Sequence, residues 1–484
     1  MRSSSSIRVA RNLMISPPGG PRSGVDARRS KRVSAPSALG LLLKEPRGVR
    51  AARVNNFSYE GLQFLLPHDT GQVPWHRGRA VVATLHDDPG GDPLPLTIEV
   101  LFTQNSNHGT VCGGRVVPRE QRVRDRYRLL VANHIHPRTR IGAYSNESVW
   151  SLYAKSGYFG LSNKDPSAFE DLRLDAFEVA KRLDGKEDVG FRVVHHADGP
   201  EVTASVSMIR PYTNTWMGHQ MAKNKDPYMP RSESRRILRE LYERAYEPFE
   251  PGEDFAWMLG YCEGHVRWMQ IAHLEFAERH AATGLACVVP LRLIEVPCEP
   301  TRAPRTRTLS IEEATPQEID QVLCALAATR PRAYVEALDL VPERFALPAL
   351  RARWGAAHMI RTRNVLVARV DGVACVAAIL ESAERGTNLF NMLDAVRLVP
   401  LGPLPAELRE SAATALLQAC RGQYWAKGRS AFVYLCESKE RAHAAPFRDL
   451  GDGYTWIVSS LLRNEFLQHI RNLTVDNPRL GLLS

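Results

Sequence analysis

Paired cysteines are what this chain most plainly lacks. Its eight cysteines (Cys112, Cys262, Cys287, Cys298, Cys324, Cys375, Cys420 and Cys436) are scattered, with no C-x-x-C and no histidine–cysteine ligand spacing. That excludes a disulfide framework and a structural zinc site, and leaves the expectation of reduced, mostly buried thiols in a cytoplasmic protein. Long apolar runs are lacking too. The longest, "GVACVAAIL" at 372–380, falls well short of the ~20 residues of a membrane helix and reads as a buried strand. The first 25 residues carry no apolar stretch of secretory type; Arg- and Ser-rich and without acid, they read as a disordered leader in preference to a transit peptide.

What is present is a folding chain with a local charge excess. Hydrophobic residues make up 44% and charged residues 24% of 484, values of an ordinary globular protein, and the length suits about three domains. The net charge is +10, yet residues 1–60 hold twelve Lys or Arg against Asp26, Glu45 and Glu60. The remainder is close to neutral. Such a skew points to a local anion site or a basic arm and away from a chain-wide nucleic-acid surface.

Patterning divides the chain into a leader (1–27), a small all-β barrel (28–132), an α/β stretch (145–296), a Pro- and Arg-rich linker (297–308), a second α/β stretch (309–470) and a tail (471–484). In the barrel region, short alternating runs such as "GLQFLLP", "GRAVVATLH" and "PLTIEVLFTQ" are separated by turn material; "RVRDRYRLLVANHI" admits a terminal helix. The two α/β stretches repeat one order of helix, hairpin, strand, helix and strand, with a hairpin turn expected at Asp371–Gly372. "IEEATPQEIDQVLCALAATR" reads as helical throughout, and the fold class is a multidomain chain of a β-barrel followed by two tandem α/β (α+β) units.

Two motifs stand in the basic region. Arg28 and Arg32 form R-x-x-x-R in "RRSKRV", and N-x-S-x-x-G follows in "NFSYEG", comprising Asn56, Phe57, Ser58, Tyr59, Glu60 and Gly61. Either alone is weak, since charge runs are usually solvated and "NNFSYEG" can be a plain β-turn. Their order, their spacing and the β-domain after them make the pair specific. The combination resembles the PilZ domain, the bacterial receptor for the second messenger cyclic di-GMP, over residues 28–132. Val33 and "GLQFL" suit that pattern, whereas Ala27 stands where many relatives have a further arginine. The resemblance implies that Arg28 and Arg32, aided by Arg29, clamp the nucleotide. It further implies that Asn56 and Ser58 hydrogen-bond along a guanine edge, and that Gly61 supplies a positive φ and leaves room for the ligand. The chemistry agrees, because a guanidinium can pair with guanine O6 and N7, grip phosphate oxygens or stack on a base. On this reading the basic segment orders when ligand binds.

The two α/β stretches resemble, by order of elements, the GNAT acyltransferase fold, the first in a more diverged form. Active members cradle the acyl-CoA pyrophosphate with backbone N–H groups of a glycine-rich loop. Here "LVPLGPLPAELRE" offers Gly402 alone among Pro400, Pro403 and Pro405, and "MAKNKDPYMPRSESRR" has no glycine. An acyl-CoA or acyl-carrier donor therefore has no loop motif behind it. Tyr434, Tyr454 and Glu437 are the acid or base candidates, a core tyrosine being the commoner explanation; no catalytic residue is assigned. His134 and His136 are spaced to share one side of a strand but lack a third ligand, so no metal is assigned. His265, His273 and His280 read as a surface stripe, and Trp216, Trp257, Trp268, Trp354, Trp425 and Trp456 as core.

The leading expectation is thus a cytoplasmic cyclic di-GMP receptor whose acyltransferase-like region carries the output, with a protein partner on that region, no membrane span and no nucleic acid. The alternative is an active N-acyltransferase regulated by cyclic di-GMP.

Overall fold

Strict alternation along "GLQFLL" places Leu62, Phe64 and Leu66 on one side of a strand, all at or below 1% exposure, and the same period runs through its neighbours. The computed structural model of the chain describes residues 32–36, 39–45, 48–67, 75–87, 92–118, 120–142, 144–161, 167–197, 199–246, 249, 251–252, 254–301, 309–403, 405–437 and 447–475. These form two compact units divided between Val131 and Ala132.

The first unit is an antiparallel barrel. Its strands are β1 (Val33–Ser34), β2 (Gly40–Glu45), β3 (Gly48–Ser58), β4 (Gly61–Leu66), β5 (Ala80–His86), β6 (Leu94–Ser106) and β7 (Gly109–Val116). Six of them close in the order β3-β2-β5-β6-β7-β4, the circle completed by β3–β4, while β1 adds to β3. Among the described strands, closure leaves only the short β1 with a free edge. Helix α1 (Gln121–Ile135) follows. It is the helix that "RVRDRYRLLVANHI" admitted, and it runs through "NHI". His134 therefore ends a helix and His136 lies just beyond it, so the shared strand face expected for the two does not exist.

The second unit is built on one sheet of twelve strands. In chain order its elements begin with β8 (Thr139–Ile141), α2 (Asn146–Ser156), α3 (Ser167–Arg182), β9 (Gly190–His196), β10 (Val202–Tyr212), β11 (Thr215–Lys223), α4 (Arg231–Tyr246) and β12 (Trp257–Glu263). Then come α5 (Arg267–Met269), a π-helical turn (Gln270–Leu274), α6 (Glu275–His280), β13 (Ala286–Pro297), β14 (Leu309–Glu313), α7 (Pro316–Thr329), α8 (Arg332–Ala337) and α9 (Pro348–Ala356). The last are β15 (Arg361–Val370), β16 (Val373–Ala383), β17 (Ala395–Pro400), α10 (Ala406–Ala426), β18 (Ala431–Cys436), β19 (Arg448–Ser459) and α11 (Arg463–Thr474).

The two halves of this sheet mirror each other. The order is β14-β15-β16-β17-β18-β13-β19-β12-β11-β10-β9-β8. Neighbours are antiparallel except β11–β12 and β17–β18, which are parallel. The middle pair is exchanged: β13 of the first half joins β18 of the second, and β19 of the second joins β12 of the first. The stretches 145–296 and 309–470 therefore share one sheet across that exchange. Trp456, on the exchanged β19, is fully buried and donates from Nε1 to the carbonyl of His273, 2.8 Å away, so strand exchange also welds the two halves' cores.

Local chemistry accounts for the element ends. Thr315 and Glu318 form a reciprocal capping box with Pro316 at the first helical position, so the helix begins there and Leu309–Glu313 pairs as strand β14; "IEEATPQ" is not helical throughout. Asp371 and Gly372, both at positive φ, turn the β15–β16 hairpin as expected. Two readings are corrected in the core. His273 is buried at 5%, its ring packed against Trp456 and Phe466, and Trp425 is 50% exposed near the end of α10. Seven cysteines are buried and Cys324 is exposed, all free. No helix among the described residues is long and apolar enough to cross a membrane.

Candidate functional site

The N-terminal candidate site is assembled by strand pairing. Val33 and Ser34 pair with Phe57 and Asn56, which sets Arg32, one residue upstream, beside the carboxamide of Asn56. Arg32 Nη1 donates to Asn56 Oδ1 at 3.0 Å, and Asn56 Nδ2 donates to Gln63 Oε1 at 2.7 Å. The two motif segments, 24 residues apart in sequence, thus meet on the barrel surface. The guanidinium is exposed and has no carboxylate among these partners, so its charge remains available to an anion.

Beneath this row lie the other motif residues. Ser58 is 4% exposed, and its Oγ donates to the Gly61 carbonyl at 3.3 Å. Tyr127 Oη donates to the Ser58 carbonyl at 2.9 Å and lies 3.2 Å from that of Gly61. Burial pushes the Tyr127 phenol up, while the nearby Arg32 charge pulls the other way. Gly61 is not among the positive-φ glycines. Its need is for close approach: a Cβ there would stand 2.3 Å from the Gly114 carbonyl oxygen of β7. The expected positive φ is therefore corrected to strand-to-strand contact. Arg28 and Arg29 lie outside the described residues. Gln63 and Tyr127 were missed by the sequence reading. The two-residue period from Gly61 could have pointed to Gln63; nothing local marks Tyr127, which arrives from α1.

In the second unit the parallel strands separate. β11 and β12 pair only from Thr215–Trp257 to Met217–Leu259. Beyond that, Gln220 takes φ 54° in a bulge against β10. Between the parting strands lies a cavity of about 160 Å³ lined by residues that include Tyr158, Gly218, Tyr242, Tyr261, Glu263 and His273. Burial raises the Glu263 carboxyl, as expected of an acid in an apolar wall. In the second half, β17 and β18 pair at Ala395–Val433 and Val396–Tyr434. There the parting strands are braced by side chains: Glu437 accepts from Tyr334 and pairs with Arg330 Nη2 at 2.5 Å, and Arg397 Nη2 donates to Tyr261 Oη at 2.5 Å.

The sequence candidates fare accordingly. Glu437 is held in that brace, Tyr434 is buried in the core with its phenol raised by burial, and Tyr454 packs half-buried beside Trp456; none of the three lines the open cavity. The loop before α4 spends its own N–H groups, with Tyr228 N donating to Asp226 Oδ1 at 2.8 Å and Met229 N to the Asp226 carbonyl at 3.2 Å. Pro227 and Pro230 have none to offer.

No protein-family model matches the chain, and no curated protein does. Among solved structures it is similar to YcgR of Escherichia coli in complex with c-di-GMP, at 16% identity and TM-score 0.18, over 21% of this chain and 43% of that one. The chain thus spans less than half of that relative. It is also similar to a tandem GNAT protein from the clavulanic acid biosynthesis pathway, at 12% identity and TM-score 0.34, over 66% of this chain and 98% of that one. A GCN5-related N-acetyltransferase from Sphaerobacter thermophilus is similar at 14% identity and TM-score 0.37, over 67% of this chain and 96% of that one. The solved structures it resembles thus include PilZ proteins on one side and GNAT acetyltransferases on the other.

Proposed function

We propose that the chain is a cyclic di-GMP receptor: the N-terminal barrel holds the nucleotide through Arg32 and Asn56, assisted by Arg28 and Arg29, and the acyltransferase-like unit delivers the output. The observation that carries this reading is the 3.0 Å hydrogen bond between Arg32 and Asn56. Two motifs that are weak separately converge there on the outer face of a closed six-stranded barrel. An exposed guanidinium beside a carboxamide offers what a guanine edge and a phosphate demand, planar paired donors and a fixed donor–acceptor group. Ser58 contributes by closing the β3–β4 turn next to Asn56, its hydroxyl being engaged with Gly61. A partner protein bound through the second unit completes the proposal. Equilibrium dialysis of the full chain against labelled cyclic di-GMP, competed with unlabelled GTP, tests it. Saturable binding that GTP does not displace supports the receptor; no retention of label refutes it.

A second reading, an N-acyltransferase controlled by the nucleotide, is favoured by the open cavity between β11 and β12 with Glu263 in its wall. Turnover of an acyl-CoA or acyl-carrier donor, abolished in Glu263→Gln, would support it.

A further inference from the structure

Several buried or half-buried arginines in the second unit are matched with carboxylates. Arg361 and Arg397 share Glu381, Arg210 has Asp254, Arg421 has Glu299 and Arg429 has Asp394. Arg192, half-buried on β9, departs from that pattern. Its Nε donates to Ser207 Oγ at 3.0 Å and its Nη2 to Gln220 Oε1 at 3.2 Å, and its guanidinium carbon lies 5.2 Å from the Tyr144 ring centroid and 5.9 Å from that of Tyr153. Among the described residues no carboxylate pairs with it. Neutral acceptors and ring faces leave the charge itself unbalanced, and a cation partly withdrawn from water without a counter-charge is left favouring an anion.

Arg192 lines a cavity of about 320 Å³, at the small-molecule end of ligand sites, together with Tyr144, Ser207, His219, Gln220 and Thr387. Thr387 is 4% exposed and its Oγ1 has no hydrogen-bond partner among the described residues. It comes from the β16–β17 connection of the second half, so both halves build this one wall. An unbalanced cation and an unsatisfied hydroxyl on one cavity are complementary to a carboxylate. The cavity wall also includes Lys181, Asp184 and Glu187, all exposed. Lys181 is already paired with Glu178 at 2.6 Å. That leaves Asp184 and Glu187 as the local bias, which opposes a phosphate dianion and favours a ligand whose far end is cationic.

We infer that this cavity binds a small zwitterion of the amino-acid class, its carboxylate on Arg192 and Thr387 and its ammonium toward Asp184 and Glu187. The residues that line this cavity all belong to the second unit.

The test is calorimetric and thermal-shift titration of the full chain with free α-amino acids, their carboxamides, their N-acetyl derivatives and inorganic phosphate. The expected result is saturable binding and a raised Tm for at least one free amino acid. Its amide should bind more than about tenfold more weakly, in keeping with the loss of a charge-assisted pair, and Arg192→Met should not bind it. Thr387→Val, a near-isosteric change, should fold normally and weaken binding severalfold, which keeps the test decisive if Arg192→Met does not fold. The inference is overturned if no free amino acid binds the wild type, if amides bind equally well, if phosphate alone stabilises it, or if both variants bind as the wild type does.

Discussion

Arg32 Nη1 stands 3.0 Å from Asn56 Oδ1 across the β1–β3 pairing. Because Arg32 is exposed, this bond contributes little to the nucleotide-free fold. Arg32→Ala and Asn56→Ala should each leave unfolding free energy within about 0.5 kcal/mol of wild type, measured by urea denaturation. A larger loss would mean that the pair is structural and that any binding defect in these variants is secondary.

Gly61→Ala should behave in the opposite way. The added Cβ meets the Gly114 carbonyl oxygen at 2.3 Å, and backbone in a closed barrel yields poorly. Overpacking of this kind costs about 1–3 kcal/mol. A lowered unfolding transition of the barrel is expected, and an unchanged one would contradict the close approach.

Glu381 is the hub of the second unit. Burial alone would raise its carboxyl, but Arg361, Arg363 and Arg397 around it hold it well below the usual carboxylate range. Glu381→Gln leaves three arginines without that charge and should destabilise by about 3–5 kcal/mol. Chemical denaturation of the variant reads this directly; a loss below about 1 kcal/mol would contradict the hub.

Three histidines make the fold acid-sensitive. Burial lowers His195 to about 4, and His219 and His273 to about 3. Between roughly pH 6.5 and the folded values the unfolded chain binds protons that the native state does not, so stability is whole above that window and falls as pH falls. Each group contributes up to about 1.4 kcal/mol per pH unit. Between about pH 6.5 and 5, above most carboxylate titration, Tm should drop steeply, and His273→Phe should make the drop shallower. A flat profile would contradict the buried neutral histidines.

Much of this architecture was legible in the chain because its signals are local. The alternation in "GLQFLL", the Asp371–Gly372 turn and the apolar face of α4 each declare an element within a few residues. The two motif segments were legible for the same reason. The exchange of β13 and β19 was not, since nothing in "ACVVPLRLIEV" tells which strand it will join. Helices α8, α9 and α11 were also missed: α8 and α9 are short, with weak caps, and α11 takes its place from Phe466 and Ile470 packing in the core. The buried face of His273 is marked by its i, i+3 and i+4 spacing to Phe276 and Ala277, a signal that the spacing to His265 and His280 obscured. Arg192 could not be singled out because an arginine's lack of a carboxylate is a property of three-dimensional neighbours.

The central claim is tested most directly by isothermal titration of the full chain with cyclic di-GMP, beside Arg28→Ala, Arg32→Ala and Asn56→Ala and with GTP as control. The account predicts binding in the micromolar range or tighter for the wild type, none for GTP, and a loss of about tenfold or more in each variant. No heat with the wild type, or equal affinity in all three variants, would contradict it.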